Sequence, residues 1–182
     1  MQKNGPWQIQ SSEIKYQNPW IIVREDKVVR PDGKDGIFGV VEMVAGVSVL
    51  PIDGEDNVYL TEEFRYGIRQ KSIEAISGGV DQNESSMEAA QRELEEEAGL
   101  QAKEWVDLGT INPFTSVVIS PQQLYVAKKL SKVAAHPEGT EQIRILKMSL
   151  AEALQITKNG GITHSPTCVL LLKAASFLST KS

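Results

Sequence analysis

Three glutamates, Glu93, Glu96 and Glu97, are spaced three and four residues apart in a segment rich in acidic side chains. If this segment is helical, a rotation of about 100° per residue places the three carboxylates within an arc of roughly 100°. Like charges at this spacing repel each other unless something positive lies between them, and carboxylate oxygens are ligands that suit Mg²⁺ and Mn²⁺. The spacing therefore indicates a site for a divalent cation.

The neighbouring residues predict the helix that would carry these side chains. Ser85 and Glu88 form the Ser-x-x-Glu capping box of a helix start, and Gly99 suits a left-handed cap at the end. A helix is therefore expected over about residues 86–98. The apolar stripe that would dock it on a core consists of Met87, Ala90, Leu94 and Ala98.

The complete pattern is more specific than the helix alone. Gly78 is followed after five residues by Glu84, and after seven more by the run Arg92-Glu93-Leu94-x-Glu96-Glu97-x-Gly99-Leu100. A helix rich in glutamate can also be a solvated surface on which Arg92 pairs with Glu95 or Glu96. The 23-residue pattern, however, resembles the Nudix box at every defined position.

The resemblance implies an enzyme that hydrolyses a nucleoside diphosphate linked to another group. By this similarity Glu93, Glu96 and Glu97 bind the metal, and the backbone carbonyl of Ser77 adds a ligand. The metal is expected to be Mg²⁺, for which Mn²⁺ can substitute, and it would offset charge on the diphosphate and make a nearby water more acidic. Arg92 is implied to orient a glutamate through a salt bridge, so Glu93, Glu97 and Arg92 are catalytic candidates.

Two stretches before the box resemble the subgroup that acts on ADP-ribose and other nucleotide sugars. The stretch EFRYG is similar to its Q-x-R-Y sequence, which implies that Arg65 binds substrate phosphate; the alternative is a surface salt bridge. The stretch EAISG resembles its E-x-P-A-G sequence, with isoleucine and serine in place of the proline and alanine. Glu74 matches the glutamate and is the second candidate for substrate binding.

A polar loop, AAHPEGTE, precedes the strand sequence QIRILKM. The subgroup has a glutamate just before such a strand, and Glu141 matches that position best, with Glu138 in reserve. The implied role is to position or deprotonate the attacking water. A solvated loop glutamate is the alternative, and His136 is expected at the surface.

Composition limits the classes of partner. The formal charge of −5 on 182 residues argues against a broad basic surface for nucleic acid. The single cysteine, Cys168, excludes an internal disulfide framework and favours a reducing compartment. No apolar run is long enough for a membrane span, and the N-terminus lacks the apolar core of a secretory signal. We therefore expect a cytoplasmic protein that binds neither nucleic acid nor membrane.

Residues 1–44 predict a β appendage of short strands, with a turn at Glu25-Asp26. Such a segment is too small to bury its own core, and the resembled subgroup exchanges a comparable sheet between subunits, so a homodimer is expected. Residues 45–182 would form the hydrolase domain, and the run FGVVEMVAGVSVLPI predicts one long buried strand. The predicted fold class is α/β (α+β): a Nudix-type α/β/α sandwich with a mixed sheet and an N-terminal antiparallel β appendage.

The expected function is Mg²⁺-dependent hydrolysis of the pyrophosphate bond of nucleoside diphosphate sugars such as ADP-ribose, ADP-glucose or GDP-mannose. The products would be a nucleoside monophosphate and a sugar phosphate. The segment after the box lacks the Ser-Pro-Gly turn usual in ADP-ribose enzymes, which leaves room for other sugars. Two alternatives stay open: a pyrophosphatase that removes nucleoside triphosphates, and a non-catalytic module that binds nucleotide sugars.

Overall fold

The structure is a computed structural model and describes residues 1–135 and 142–179. Within these residues the chain forms twelve strands and three helices. The strands are β1 (Gln2–Asn4), β2 (Trp7–Gln17), β3 (Ile21–Val29), β4 (Asp35–Met43), β5 (Gly46–Pro51), β6 (Asn57–Arg65), β7 (Gln70–Glu74), β8 (Ile76–Gly79), β9 (Leu100–Ile111), β10 (Val118–Ile119), β11 (Gln122–Lys132) and β12 (Arg144–Ser149). The helices are α1 (Ser86–Ala98), α2 (Leu150–Lys158) and α3 (Ser165–Ser179).

The chain divides into two compact units. The N-terminal unit comprises Met1–Val44 and Asn112–Pro121, and the main unit comprises Ala45–Ile111 and Gln122–Ser182. The N-terminal unit therefore includes residues 112–121 in addition to residues 1–44.

The N-terminal unit is a five-stranded sheet in the order β1-β2-β3-β4-β10. Strands β1 to β4 pair antiparallel with their neighbours, and β10 adds to β4 in parallel. The turn between β3 and β4 contains Gly33 at a φ of 80°, which glycine adopts without a steric penalty. The N–H of Gly33 donates to the carbonyl of Arg30 at 2.9 Å and closes this turn.

The turn expected at Glu25-Asp26 is wrong, because β3 runs through both residues. Asp26 is only 3% exposed, and Arg24 Nε donates to its Oδ1 at 3.1 Å. Alternation along a strand puts Arg24 and Asp26 on one face, where a buried carboxylate needs a charged partner. The strands are also longer than predicted, since β2 spans 11 residues and β3 and β4 span nine each.

The main unit contains two sheets. One has the order β8-β5-β11-β9 and is mixed, because β5 and β11 run parallel while the other neighbours are antiparallel. The other is an antiparallel sheet in the order β12-β6-β7. The run predicted as one long strand is two strands, interrupted at residues 44–45, because β4 and β5 pair in different sheets.

Alternating residues of β5 and β11 pack against helices on opposite faces of the mixed sheet. Val47 and Val49 lie in one cluster with Leu94 of α1, whereas Leu50 lies in another with Leu170 of α3. This period of two is what a strand covered on both sides requires. The predicted α/β (α+β) class, with a mixed sheet between helices, is therefore confirmed. None of the helices in residues 1–135 and 142–179 combines the length and apolar character needed to cross a membrane.

Candidate active site

Helix α1 covers the residues for which a helix was predicted. Ser85 Oγ accepts a hydrogen bond from the Glu88 N–H at 3.2 Å, and the Glu88 carboxylate accepts one from the Ser85 N–H at 2.8 Å. At the other end Gly99 has a φ of 59°, and its N–H donates to the carbonyl of Glu95 at 3.0 Å. Both ends of the helix are thus fixed, which orients the carboxylates that project from it.

Glu93 and Glu97 lie on the buried side of α1. They are 9% and 8% exposed, and the neighbouring Ala90 and Leu94 are fully buried. The carboxylate of Glu93 lies directly against the backbone of β8, where a Cβ on Gly78 would overlap it. Glycine at position 78 therefore has a steric role, because it lets a buried carboxylate approach the strand backbone.

Arg92 connects acidic side chains of α1 to strand β8. Its Nη1 donates to Glu93 Oε1 at 2.6 Å and to Glu96 Oε2 at 3.1 Å. Its Nη2 donates to the carbonyl of Gly79 at 2.9 Å. One guanidinium thereby connects two carboxylates of α1 to the end of β8.

Glu84 holds Arg92 in this position. Arg92 Nε donates to Glu84 Oε1 and Arg92 Nη2 donates to Glu84 Oε2, each at 3.0 Å. The N–H of Asp81 donates to the same carboxylate at 3.1 Å. The hydrogen bond from Arg92 is the main cause that lowers the pKa of Glu84, and the one to Glu84 is the main cause that raises the pKa of Arg92. Both side chains therefore stay charged at neutral pH.

Arg65 and Glu74 form a second ion pair, across strands β6 and β7. Arg65 Nε donates to Glu74 Oε1 at 3.1 Å and Nη2 donates to Oε2 at 2.8 Å, while Nη1 lies 2.7 Å from Glu63 Oε2. Burial is the largest single influence and would raise the pKa of Glu74, but the hydrogen bonds from Arg65, together with weaker contributions from His164 and Ser72, lower it overall. The guanidinium is thus held in a fixed orientation, as fork-to-fork pairing with a carboxylate requires.

The pKa of Arg65 connects this pair to helix α1. Burial would lower it, but the carboxylates of Glu74 and Glu63 and, less strongly, that of Glu97 raise it overall. The carboxylate of Glu97 is therefore among the negative charges that favour the protonated guanidinium of Arg65.

Within residues 1–135 and 142–179, no group of three or more His, Cys, Asp or Glu side chains lies close enough together to hold a metal ion. Arg92 offsets part of the repulsion between Glu93 and Glu96 by bonding to both. The donor types do fit a hard cation, because a buried carboxylate lies against the β8 backbone one residue after Ser77. The assignment of Glu93, Glu96, Glu97 and the Ser77 carbonyl as metal ligands stays a prediction.

Two residues near Glu74 received no functional role from the sequence. His164 Nδ1 lies 2.9 Å from Thr167 Oγ1 and 3.5 Å from Glu74 Oε2. Burial is the main cause that lowers the pKa of His164. A threonine in an apolar helix carries no distinctive sequence signal, so this arrangement could be found only in three dimensions. Glu141, its reserve Glu138, and His136 lie outside the described residues.

Two protein-family models match consecutive parts of the chain. A family model described as the nucleoside diphosphate sugar hydrolase N-terminal domain matches residues 7–41. The NUDIX domain model matches residues 43–162, which is more than half of the chain.

Relatives and solved structures agree with these matches. The chain is 32% identical over 149 residues to a methanol dehydrogenase activator of Bacillus methanolicus, covering 79% of each protein. It is 30% identical over 162 residues to an ADP-ribose pyrophosphatase of Mycobacterium tuberculosis, covering 85% of this chain and 76% of the relative. A crystal structure of an ADP compounds hydrolase superposes with a TM-score of 0.86 at 18% identity, covering 100% of this chain and 99% of that one, and shows the same fold.

Proposed function

Because the chain belongs to the Nudix hydrolase family, we propose that it hydrolyses the pyrophosphate bond of nucleoside diphosphate sugars with the help of Mg²⁺. The substrates would be of the ADP-ribose, ADP-glucose or GDP-mannose type, and the products a nucleoside monophosphate and a sugar phosphate. The match of residues 7–41 to the N-terminal domain of nucleoside diphosphate sugar hydrolases supports this substrate class over a triphosphate. A relative described as an ADP-ribose pyrophosphatase supports it further.

The observation that carries the proposal is the fixed orientation of charged side chains in the main unit. Arg92 donates to the carboxylate of Glu93, which lies against Gly78, and Glu74 holds the guanidinium of Arg65 through two hydrogen bonds. A diphosphate is an anion that needs both a guanidinium and cations to offset its charge. An oriented arginine and oriented buried carboxylates supply the two kinds of group that such a substrate requires.

Glu93, Glu96, Glu97 and the carbonyl of Ser77 would hold Mg²⁺, and Mn²⁺ could take its place. When bound, the cation would offset charge on the diphosphate and supply a more acidic water for attack. Arg92 keeps Glu93 and Glu96 oriented through the hydrogen bonds from its Nη1. This side chain therefore supports the ligands without being one of them.

Arg65 would bind a phosphate oxygen of the substrate, and Glu74 would fix its orientation. The bidentate contact with Glu74 and the contact with Glu63 prevent the long side chain from sampling other rotamers. A pre-oriented guanidinium loses less entropy when the phosphate arrives. Glu74 thus contributes to substrate binding by orienting Arg65.

Glu141 would position or deprotonate the water that attacks phosphorus. The new bond joins the water oxygen to one phosphorus, and the bond from that phosphorus to the bridging oxygen breaks. The water proton passes to the carboxylate. This assignment rests on the position of Glu141 before β12, with Glu138 as the second candidate.

We also propose a cytoplasmic homodimer joined through residues 1–44. The N-terminal unit exposes large apolar side chains, including Trp20 at 69%, Ile14 at 58% and Tyr16 at 55%. Several large exposed apolar side chains on one unit are typical of a protein–protein interface. Sedimentation velocity at micromolar concentration would test the proposal, and a monomer throughout would contradict it.

The decisive assay is a substrate panel with and without Mg²⁺. ADP-ribose, ADP-glucose, GDP-mannose, a dinucleotide and a nucleoside triphosphate are incubated separately, and the phosphorylated products are identified. Release of a nucleoside monophosphate and a sugar phosphate, lost on chelation and restored by Mg²⁺, is expected. Pyrophosphate release from the triphosphate alone would instead support the triphosphatase alternative. Binding of nucleotide sugars without product would contradict catalysis.

A further inference from the structure

Ala75 lies at the point where the chain passes from one sheet of the main unit to the other. Strand β7 ends at Glu74 and pairs with β6, whereas β8 begins at Ile76 and pairs with β5. Ala75 itself belongs to neither strand and is 1% exposed, so its N–H and C=O need partners inside the protein. Side chains supply both partners.

A relay of hydrogen bonds ends on the Ala75 carbonyl. Ser77 Oγ donates to this oxygen at 2.8 Å. Ser77 Oγ lies 2.9 Å from Ser48 Oγ, which lies 3.0 Å from Gln122 Nε2. Because a carbonyl can only accept, the Ser77 hydroxyl points to Ala75, the Ser48 hydroxyl donates to Ser77, and the Gln122 amide donates to Ser48. The direction of every bond in this relay is therefore determined.

Thr167 of α3 binds the other side of the same residue. Its Oγ1 accepts a hydrogen bond from the Ala75 N–H at 2.8 Å, and Thr167 is fully buried. The hydroxyl proton of Thr167 remains to be donated, and His164 Nδ1 lies 2.9 Å away. Burial lowers the pKa of His164 by more than the Glu74 carboxylate, 3.5 Å from Nδ1, raises it, which favours the neutral imidazole that can accept this proton. The Ala75 N–H is thus tied to a helix and its C=O to a neighbouring strand.

The residues on either side of Ala75 belong to the two parts of the proposed site. Glu74 precedes it and holds Arg65. Gly78 follows three residues later and receives the carboxylate of Glu93. A rotation of the peptides at Ala75 would therefore move the guanidinium relative to the carboxylates of α1.

We infer that Thr167 and Ser77 are positioning residues, which hold the two sides of Ala75 and so set the distance between Arg65 and the carboxylates of α1. The inference rests on the proposed function, in which Arg65 binds phosphate and those carboxylates bind a metal. Ile76 and Ser77 stand where the resembled pattern has proline and alanine. Proline restricts the backbone through its ring, whereas here the Ser77 hydroxyl provides a comparable restraint.

The first test compares Thr167→Val with Thr167→Ser. Valine has nearly the shape of threonine but cannot accept the Ala75 N–H, whereas serine keeps the hydroxyl. We expect Thr167→Val to lower kcat about 10- to 100-fold with a smaller change in KM, because a displacement of the order of 1 Å misaligns reacting groups. Thr167→Ser should retain kcat within about threefold. Thr157→Val on α2 is the matched control, because its hydroxyl bonds only within its own helix.

A second readout does not depend on activity. NMR should show fast amide exchange at Ala75 and a shifted Nε–H signal of Arg65 in Thr167→Val, and neither change in Thr167→Ser. Ser77→Ala removes the other restraint while keeping the backbone carbonyl, and should shift the Arg65 signal and lower kcat about tenfold. This second variant tests the inference if Thr167→Val does not fold.

Folded variants with a wild-type kcat and an unmoved Arg65 signal would overturn the inference. A lower melting temperature with an unchanged kcat would also overturn it, because it would assign Thr167 and Ser77 to stability alone. If the wild-type enzyme cleaves no nucleotide sugar, the proposed function fails separately. The kinetic comparison is then made with whichever compound of the panel the enzyme does cleave, and the Arg65 signal decides the positioning role in either case.

Discussion

Arg92 and Glu84 form a bidentate ion pair, in which Nε and Nη2 each lie 3.0 Å from a different carboxylate oxygen. Glu84 precedes the helix cap, whereas Arg92 lies in the second turn of α1. The pair therefore ties the segment before the helix to the side chain that bonds to both Glu93 and Glu96. The spacing of these residues therefore has a physical basis: Glu84 orients Arg92, and Arg92 orients Glu93 and Glu96.

Replacing Glu84 with glutamine should loosen this arrangement without unfolding the protein. The amide keeps one acceptor but loses the charge that holds the guanidinium, and we expect a loss of about 1–2 kcal/mol in the free energy of unfolding and about tenfold in kcat. Urea unfolding and steady-state kinetics measure the two effects. Glu95→Gln on the same helix is the control, because Glu95 bonds to Gln101 instead. Equal behaviour of the two variants would contradict the role of Glu84.

Replacing Glu97 with glutamine should nearly abolish turnover. The side chain is 8% exposed and its charge acts on Arg65, so the isosteric amide removes charge at the proposed metal position with little change in shape. We expect kcat to fall roughly 100- to 1,000-fold, as for the loss of one transition-state stabilising group. Circular dichroism should show an unchanged fold, and Mn²⁺ titration a weaker affinity. A wild-type rate would refute the metal role.

Replacing Gly78 with alanine should disturb the site sterically. The new methyl group would overlap the Glu93 carboxylate, so the helix or the strand must shift. We expect a loss of about 1–3 kcal/mol in stability and a clear fall in kcat, because close-packed sites tolerate added volume poorly. Gly39→Ala is the matched control, since nothing lies within 4 Å of its added Cβ. A Gly78→Ala enzyme as active and stable as this control would show that Glu93 moves aside freely.

The sequence predicted those parts of the site that short-range rules determine. The capping box at Ser85 and the left-handed Gly99 gave α1 its correct ends, because both signals involve contacts within a few residues. The turn at Glu25-Asp26 was predicted wrongly because two adjacent acids resemble a solvated turn. In the structure both residues lie within β3, which pairs with β4, and Arg24 offsets the charge of the buried Asp26 carboxylate.

Other features depend on contacts between residues far apart in the chain. Thr167 bonds to Ala75 across 92 positions, and Gln122 bonds to Ser48 across 74 positions. Nothing in the residue types marks these side chains, since threonine, serine and glutamine are common in many surroundings. The break between β4 and β5 was missed for a related reason: an apolar run has the same appearance whether it pairs in one sheet or in two.

Replacing Glu141 with glutamine should lower kcat more than it changes KM. The amide cannot accept the water proton, whereas substrate binding depends on other side chains, and we expect a loss of about 100-fold or more, as for removal of a general base. Glu138→Gln is the paired variant, differing in position but not in chemistry. A wild-type kcat in Glu141→Gln with a loss in Glu138→Gln would move the role to Glu138. Wild-type rates in both would contradict a base in this loop.

The stability of the protein should depend on pH through His164. Burial lowers the pKa of His164 in the folded state from its ordinary value of 6.5, so the unfolded state binds the proton more readily. The free energy of unfolding should therefore fall as the pH drops below about 6.5. Above that pH, His164 should not change it. The lowered pKa of Glu74 affects stability only below about pH 4.5, which separates its contribution from that of His164.

Urea unfolding at pH 8 and pH 5 measures this dependence in the wild type and in His164→Gln. The glutamine variant cannot titrate, so its free energy of unfolding should fall less between the two pH values than that of the wild type. His136→Gln removes the other histidine of the chain and should behave like the wild type. An equal pH dependence in all three proteins would show that His164 is protonated as easily in the folded state as in the unfolded state, and would contradict the neutral imidazole that accepts from Thr167.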